Sequence, residues 1–261
     1  MKKLIILPVE CYYIKTMLAT ATWNIWFDES LREHRTRGIV NQLKQTNYDL
    51  FCLQEVIPQT AEIIKNKFPK WDVAGYPLQS AYDTLILSKH KIIDWQRLEL
   101  PHTNMGRNLL LAKIFHAPSG KTITVATFHL ESEFGKMKIK KEMQLIYIYN
   151  IIADLQDEPI LLLGDTNFTK KEKDPELPDF IEDAYLGASK PGGYNYTYDG
   201  KRNSNVRNAY LRSRLDRVYY SKKNLRLSEF TFIGDRPIMT GDHEDPIFLS
   251  DHFGIRTCFT F

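Results

Sequence analysis

Five short apolar runs in this chain each end in a polar group capable of chemistry. They close on Asn24 (TWN), Glu55 (LQE), His129 (FHLES), Asp165 with Asn167 (GDTN), and Asp251 with His252 (SDH). A sixth polar group, Asp216, lies inside RLDRVYY. Ligands in open α/β sheets bind beyond strand ends, so polar groups at such ends are candidates for one shared site. This mixture of carboxylates, amides and imidazoles suits phosphoryl chemistry, which needs positioning and charge stabilisation above all. Glu55, with Asp251 as a second carboxylate, offers the oxygen donors that a hard cation takes: Mg²⁺, with Mn²⁺ as the alternative. There is no Cys/His cluster for Zn²⁺. Asp165 beside Asn167 can orient and deprotonate an attacking water. Asp216 and His252 can pair, the carboxylate fixing an imidazole that contacts the scissile phosphate, and His129 adds a second donor.

Each residue also has a plainer reading. Asn24 could bond neighbouring backbone, Glu55 could cap the helix after Pro58, and Asp165 in a Gly-Asp pair is commonly a turn residue. A lone His129 would be a satisfied strand-end histidine, and Asp251-His252 alone a surface dipeptide. The joint occurrence of all six, in this order, is what sets them apart from coincidence.

The elements that must position them follow from periodicity. Strands are expected at 18–26, 49–56, 121–130, 159–163, 214–220, 226–233 and 253–260, with several more strand-like runs between 81 and 116. An amphipathic helix is expected over 31–46, and a short one opens at Pro58. A long helix is expected over 135–155, with Met143, Ile146, Tyr147, Asn150, Ile151 and Leu155 at helical spacing. Strands and helices alternate, then strands cluster, which points to an α/β fold with large sheets packed face to face and helices outside. No linker or low-complexity segment divides the 261 residues, so one domain is the simplest reading.

Bulk composition adds limits. The chain is 43% hydrophobic and 26% charged, ordinary for a globular protein, and its net charge of +3 argues only weakly for an acidic partner. Local charge is more telling: lysines cluster at 136–141 and 170–173, and Lys201 to Arg217 carries six basic residues. A solvated face explains such runs as well as a nucleic-acid surface does. Cys11, Cys52 and Cys258 share no metal-ligand spacing, and the last two sit in apolar runs, which suits free thiols in a reducing, intracellular compartment. The N-terminal MKKLIILPVE reads as a leading strand or arm rather than a signal peptide, and no run is long enough to span a bilayer. A monomer without membrane contact is expected.

The motifs TWN, LQE, GDTN, RLDR and SDH, spread from residue 22 to 252, resemble the endonuclease/exonuclease/phosphatase superfamily. That resemblance implies a four-layer α/β sandwich of the deoxyribonuclease I type: two stacked mixed sheets flanked by helices, with the site at one edge. More specific stretches are TRGIVNQL, LQEVIPQ, MGRNLL, FHLES, LLGDTNF and YTYDGKRNSN. They are similar to the branch that hydrolyses 5′-phosphotyrosyl–DNA bonds to leave a 5′-phosphate. The resemblance gives catalytic or metal roles to Asn24, Glu55, His129, Asp165, Asn167, Asp216 and His252. It turns Arg107, Ser132, Tyr198 and Asn205 toward DNA carrying a 5′-tyrosyl or peptide adduct.

The chain departs from that pattern at four places. Trp26 stands where the family often has a metal-holding Asp, with Asp28 a weak substitute. Tyr198 replaces a tryptophan. Thr169 follows the GDTN segment where an Arg is expected, and Phe134 lies near where another Arg is missing. The competing readings are an abasic-site endonuclease or exonuclease of the same superfamily, and a nucleic-acid-binding scaffold with a dead site. An inositol phosphatase is disfavoured by the segment before Asp216-Arg217.

Overall fold

Runs of alternating and continuous apolar residues pair into two six-stranded mixed sheets in the computed structural model, which describes residues 17–132, 138–188, 195–239 and 245–261. In chain order the strands are β1 (Met17–Asn24), β2 (Leu50–Val56), β3 (Asp72–Ala74), β4 (Asp83–Ser88), β5 (Lys91–Glu99), β6 (Asn108–His116) and β7 (Lys121–His129). They continue as β8 (Ile160–Asp165), β9 (Ile181–Asp183), β10 (Tyr198–Asp199), β11 (Arg212–Ser213), β12 (Asp216–Ser221), β13 (Arg226–Ile233) and β14 (Gly254–Thr260). The first sheet has the order β13-β14-β1-β2-β4-β3 and the second β5-β6-β7-β8-β12-β9, while β10 and β11 form a small ribbon.

Helices α1 (Arg32–Lys44) and α2 (Pro58–Lys67) cover the first sheet, and α3 (Lys138–Ala153) covers the second; α4 (Ala184–Gly187) is one turn. Three apolar layers hold the stack together. Between the sheets lie Leu18, Cys52, Ile86, Leu110, Val125, Leu161, Val218 and Phe259. Ile39, Leu43 and Ile64 pack on Phe51 and Leu53 under the first pair of helices, and Leu145, Ile148 and Ile152 pack on Ala126, Phe128 and Leu162 under α3. The expected four-layer sandwich is therefore the observed one.

Two pairings aim the site. β1 runs parallel to β2, and β7 parallel to β8. Parallel neighbours end on the same side, so Asn24, Glu55, His129 and Asp165 all reach one edge of the stack. The antiparallel start of β12 sets Asp216 opposite Asp165, and His129 is opposite Asp165 on the other flank.

Some sequence expectations change. The α3 spacing selects the wrong stripe: the buried residues are Lys141, Gln144, Leu145, Ile148, Tyr149 and Ile152, whereas Met143 and Ile146 are exposed. The helix carries apolar residues around most of its girth, so periodicity alone does not choose the face. Lys141 is buried because its Nζ donates to the Asn167 carbonyl and to Glu172, each at 2.8 Å. Cys52 and Cys258 are buried free thiols, while Cys11, Phe134 and Lys136 lie outside the described residues. Among the described residues no helix is long and apolar enough to cross a membrane.

The indole of Trp23, fully buried, donates from Nε1 to the His252 carbonyl at 2.9 Å and is clasped by Gly234 and Gly254. A Cβ on Gly254 would come within 2.8 Å of the Trp23 ring and of Ile233. Overpacking of this kind costs about 1–3 kcal/mol. Gly254→Ala should lower the unfolding free energy in urea by about that amount, with little change in the denaturant slope.

Candidate active site

Asp165 is the hub. It is buried, and its Oδ2 accepts from Asn24 Nδ2 at 3.0 Å while its Oδ1 accepts from the Asn167 backbone N–H at 2.8 Å. His129 Nε2 lies 3.5 Å and His252 Nε2 3.8 Å from the same Oδ2. The Asn24 amide also donates to Glu55 Oε1 at 3.1 Å. His252 in turn holds Asp216 Oδ2 through Nδ1 at 2.9 Å. Seven of the expected site residues are thus linked in one chain of close contacts. Asp251, next to His252 in sequence, accepts from Ser250 Oγ at 3.4 Å, and its charge acts on both Glu55 and His252.

The backbone is bent to achieve this. Trp26, Glu55 and Asn167 adopt left-handed conformations with φ of 59°, 58° and 54°. Such angles are unfavourable for L-residues and gather where surrounding structure over-determines them. Glu55 sits at an irregularity in the β2–β4 register between Leu53 and Val56, which turns its carboxylate out of the strand. Its Oε2 then accepts the Phe27 N–H at 3.1 Å.

Charge follows from burial and neighbours. Burial, and then the nearby Asp251 carboxylate, push Glu55 up to about 7. Two carboxylates crowded in a dry corner, offering only oxygen donors, fit a hard divalent cation that would relieve their repulsion. Asp165 stays ionised: burial works against its charge, but His252, His129 and the Asn24 and Asn167 hydrogen bonds outweigh it. Burial also works against a charged His252, yet Asp216, Asp251 and Asp165 hold its pKa well above the usual histidine value. His129 is the opposite case, held neutral by burial and by the Arg107 guanidinium. Arg107 Nη1 donates to His129 Nδ1 at 2.7 Å, so the ring's proton sits on Nε2 and faces the site. Asp165, Asp216 and His252 are also close enough to form a ligand set, but the ring's Nδ1 is taken by Asp216 and the trio is better described as a charge-coupled chain.

The outward-facing residues divide. Arg107 Nη2 donates to Ser132 Oγ at 3.1 Å, and its guanidinium lies over the Tyr82 ring at 5.3 Å. Tyr198 meets His252 edge-on at 5.1 Å. Asn205 directs its amide to the carbonyls of Phe248 and Ser250, so it braces the segment leading into Asp251. In the basic run, Arg212 pairs with Asp199, Arg214 with Asp183 and Arg217 with Asp174, and these three arginines hold loops in place. Asp28 is taken up by the Ser30 backbone N–H, and Trp26 lies under the Arg35 guanidinium at 4.5 Å.

Several supporting residues escape sequence reasoning. Arg35, 3% exposed, donates to the carbonyls of Ile25, Trp26, Asp28, Ser30 and Leu249, tying the loop after β1 to the loop before Asp251. Glu131 is fully buried and accepts from Thr103 Oγ1 at 3.1 Å and from the Asn104 N–H, fixing the loop that carries Arg107. Thr197 Oγ1 accepts the Leu215 and Asp216 N–H groups. Glu131 and Thr197 lie inside FHLES and YTYDGKRNSN, but their roles, like the link from Arg35 to Leu249, depend on partners that only the fold supplies.

Comparison with known proteins agrees with this geometry. The family model described as "Endonuclease/Exonuclease/phosphatase family" matches residues 21–252. The chain belongs to this family. Tyrosyl-DNA phosphodiesterase 2 of Xenopus laevis is 30% identical over 251 residues, covering 90% of this chain and 64% of the relative. The Mus musculus protein of the same name is 29% identical, with the same coverage. The chain thus spans just under two thirds of the length of these relatives. A crystal structure of Danio rerio TDP2 complexed with single-strand DNA product is 27% identical, with a TM-score of 0.83, covering 94% of this chain and all of that one. A Bacteroides thetaiotaomicron mannosyl-6-phosphatase shares the fold at 16% identity and a TM-score of 0.76. Proteins that share this fold therefore differ in what they act on, and the fold alone does not choose.

The Glu55 environment generates a pH prediction. A cation binds the ionised carboxylate, and protons compete for it. With its pKa near 7, Mg²⁺ affinity should be nearly constant above pH 8 and fall close to tenfold per unit below about pH 6.5, as measured by calorimetry. In Glu55→Gln the competing proton is gone, and the steep limb should disappear along with most of the affinity.

Proposed function

We propose that this chain is one catalytic domain that hydrolyses 5′-phosphotyrosyl–DNA bonds with Mg²⁺, leaving a 5′-phosphate and free tyrosine. The observation that carries the reading is the Asp165 hub with a guanidinium–aromatic wall beside it. His129, Arg107 and Tyr82 meet in one recess next to the hub that has room for about one water, so a departing aromatic group would rest on its rim, against Tyr82 and the guanidinium that lies 5.3 Å from that ring. The likeness to tyrosyl-DNA phosphodiesterase 2, including the complex with a single-strand DNA product, supports the same substrate class. Work on such an adduct places the protein inside the cell, wherever the DNA is.

Glu55 and Asp251 would hold the metal, whose charge would stabilise the negative charge developing on the phosphoryl oxygens. The rest falls to the chain's own groups. Asp165, ionised and held by Asn24 and Asn167, orients a water and takes its proton as the water oxygen bonds to phosphorus. His252 donates from Nε2 to a non-bridging oxygen while Asp216 keeps the ring charged and aligned, and His129 donates from Nε2 on the opposite flank. The bond from phosphorus to the tyrosyl oxygen breaks on the far side. A phenolate with a pKa of about 10 leaves more readily than a sugar alkoxide and takes its proton from solvent. Ser132 and Tyr198 would grip the nucleic acid, Tyr198 by stacking on a base, while Arg107, buried, would act through His129 and Ser132.

Asp216→Asn should keep the fold but lose the ion pair that orients His252. The turnover number should fall by about 10²–10⁴ while KM changes little, as for other carboxylates that orient a catalytic imidazole. An equal fall from a rise in KM alone would reassign Asp216 to substrate binding.

The deciding assay is Mg²⁺-dependent release of tyrosine from a 5′-phosphotyrosyl single-stranded oligonucleotide, with an abasic duplex in parallel. Preferred cleavage of the tyrosyl end, abolished in Glu55→Ala and Asp165→Asn variants that still fold, is the expected result. Cleavage of the abasic strand alone would move the protein to the repair-endonuclease branch. DNA binding without turnover on either substrate would mark a dead site, with Trp26 as the first residue to revert.

A further inference from the structure

At the opposite pole of the sandwich, three metal-ligating side chains meet that no sequence spacing links. Asp49 precedes β2 and His90 follows β4, both on the first sheet, and His116 closes β6 on the second. One carboxylate oxygen and one nitrogen from each ring lie within 4.8 Å of one another. His90 Nε2 is 3.2 Å from Asp49 Oδ1, and the two imidazoles meet edge-on with centroids 4.6 Å apart.

The second observation is at His116. Its side chain is fully buried, and its Nε2 has no hydrogen-bond partner. A buried polar atom left unpaired is rare and marks a missing partner. Its other nitrogen, Nδ1, sits 2.8 Å from Ser119 Oγ, whose hydroxyl donates to the His116 carbonyl at 3.3 Å. With Nδ1 donating to that hydroxyl, Nε2 would present a bare lone pair, the arrangement in which metal-binding histidines are held. Burial, and then the neighbouring His90, depress His116 to about 4, so the ring is neutral. Asp49 remains ionised, as burial is outweighed by His90 and by the Ala19 N–H, which reaches its Oδ2 at 2.9 Å.

We propose that Asp49, His90 and His116 form a structural Zn²⁺ site that staples the two sheets together. Two imidazoles and one carboxylate suit a borderline ion better than Mg²⁺. Donors of a tetrahedral zinc stand about 3.3 Å apart, which the His90–Asp49 pair already matches. A cavity of about 10 Å³ borders Asp49 and His90, though not His116, and has room for one water on that side of the cluster. Lys89 Nζ lies 3.8 Å from Asp49 Oδ1 but is 46% exposed and free to turn outward. The Met17 backbone also lies within reach of the His116 ring, and zinc would compete with it for that ring. This site is independent of the phosphodiesterase reading and shares no residue with it.

The test uses the untagged full chain, stripped of metal and held in excess Mg²⁺ to occupy the acidic site. Equilibrium dialysis should find one Zn²⁺ per chain, retained by Glu55→Gln and lost from His90→Asn and His116→Gln. Free Zn²⁺ at about 100 times its Kd should raise the Tm of the wild-type protein by about 5–10 °C, and that of His90→Asn not at all. Should the variants fail to fold, Co²⁺ added to the wild-type chain under the same conditions should give the intense visible bands of a four-coordinate site. Zinc binding unchanged in His90→Asn, zinc lost only in Glu55→Gln, no bound zinc, or a purely six-coordinate Co²⁺ spectrum would each overturn the proposal.

Discussion

The constraint on which the site depends is the need to keep Asp165 ionised while it is buried. Removing a carboxylate from water is unfavourable by several kcal/mol unless charges and donors replace the solvent. Here two imidazoles, the Asn24 amide and the Asn167 backbone N–H do so, and they come from four separate stretches of chain. That single requirement explains why β1, β7, β8 and the segment after residue 249 must end at the same point.

Everything behind the hub is bracing. Arg35 joins the loop after β1 to the loop before Asp251 through five carbonyls, and Trp23 pins the His252 backbone from below. Glu131 anchors the Arg107 loop, and Asn205 holds the approach to Asp251. Strained φ angles at Trp26, Glu55 and Asn167 persist because these buried contacts leave the backbone no alternative. The two histidines beside Asp165 have opposite charge states for a local reason: one faces a carboxylate, the other a guanidinium. The same fold thus provides a cationic donor and a neutral one around a single phosphate-sized space.

The two ends of the sandwich contrast in their donors. At the end where the parallel strands finish, oxygen donors crowd together with charge that suits a hard cation. At the other, imidazoles dominate and a lone pair on His116 lacks a partner. Both arise because the sheets bring residues from distant strands together at their rims, where the core no longer excludes polar groups.

By itself, the sequence determined the strand-ending motifs, their order, and the layered architecture, because alternating apolar patterns and polar termini are local signals. Asn24, Glu55, His129, Asp165, Asn167, Asp216, Asp251 and His252 were legible on that basis, and the structure brings them to one edge. Tertiary structure alone decided the rest. Which stripe of α3 is buried depended on what it packs against, since that helix is apolar nearly all round. The arginines of the basic run were drawn into ion pairs with acids distant in sequence, which composition cannot reveal. Arg35 and the Asp49–His90–His116 cluster carry no motif, and the FHLES motif that contains Glu131 does not reveal its bracing role. Their partners lie up to 214 residues away, and only the folded chain makes them neighbours.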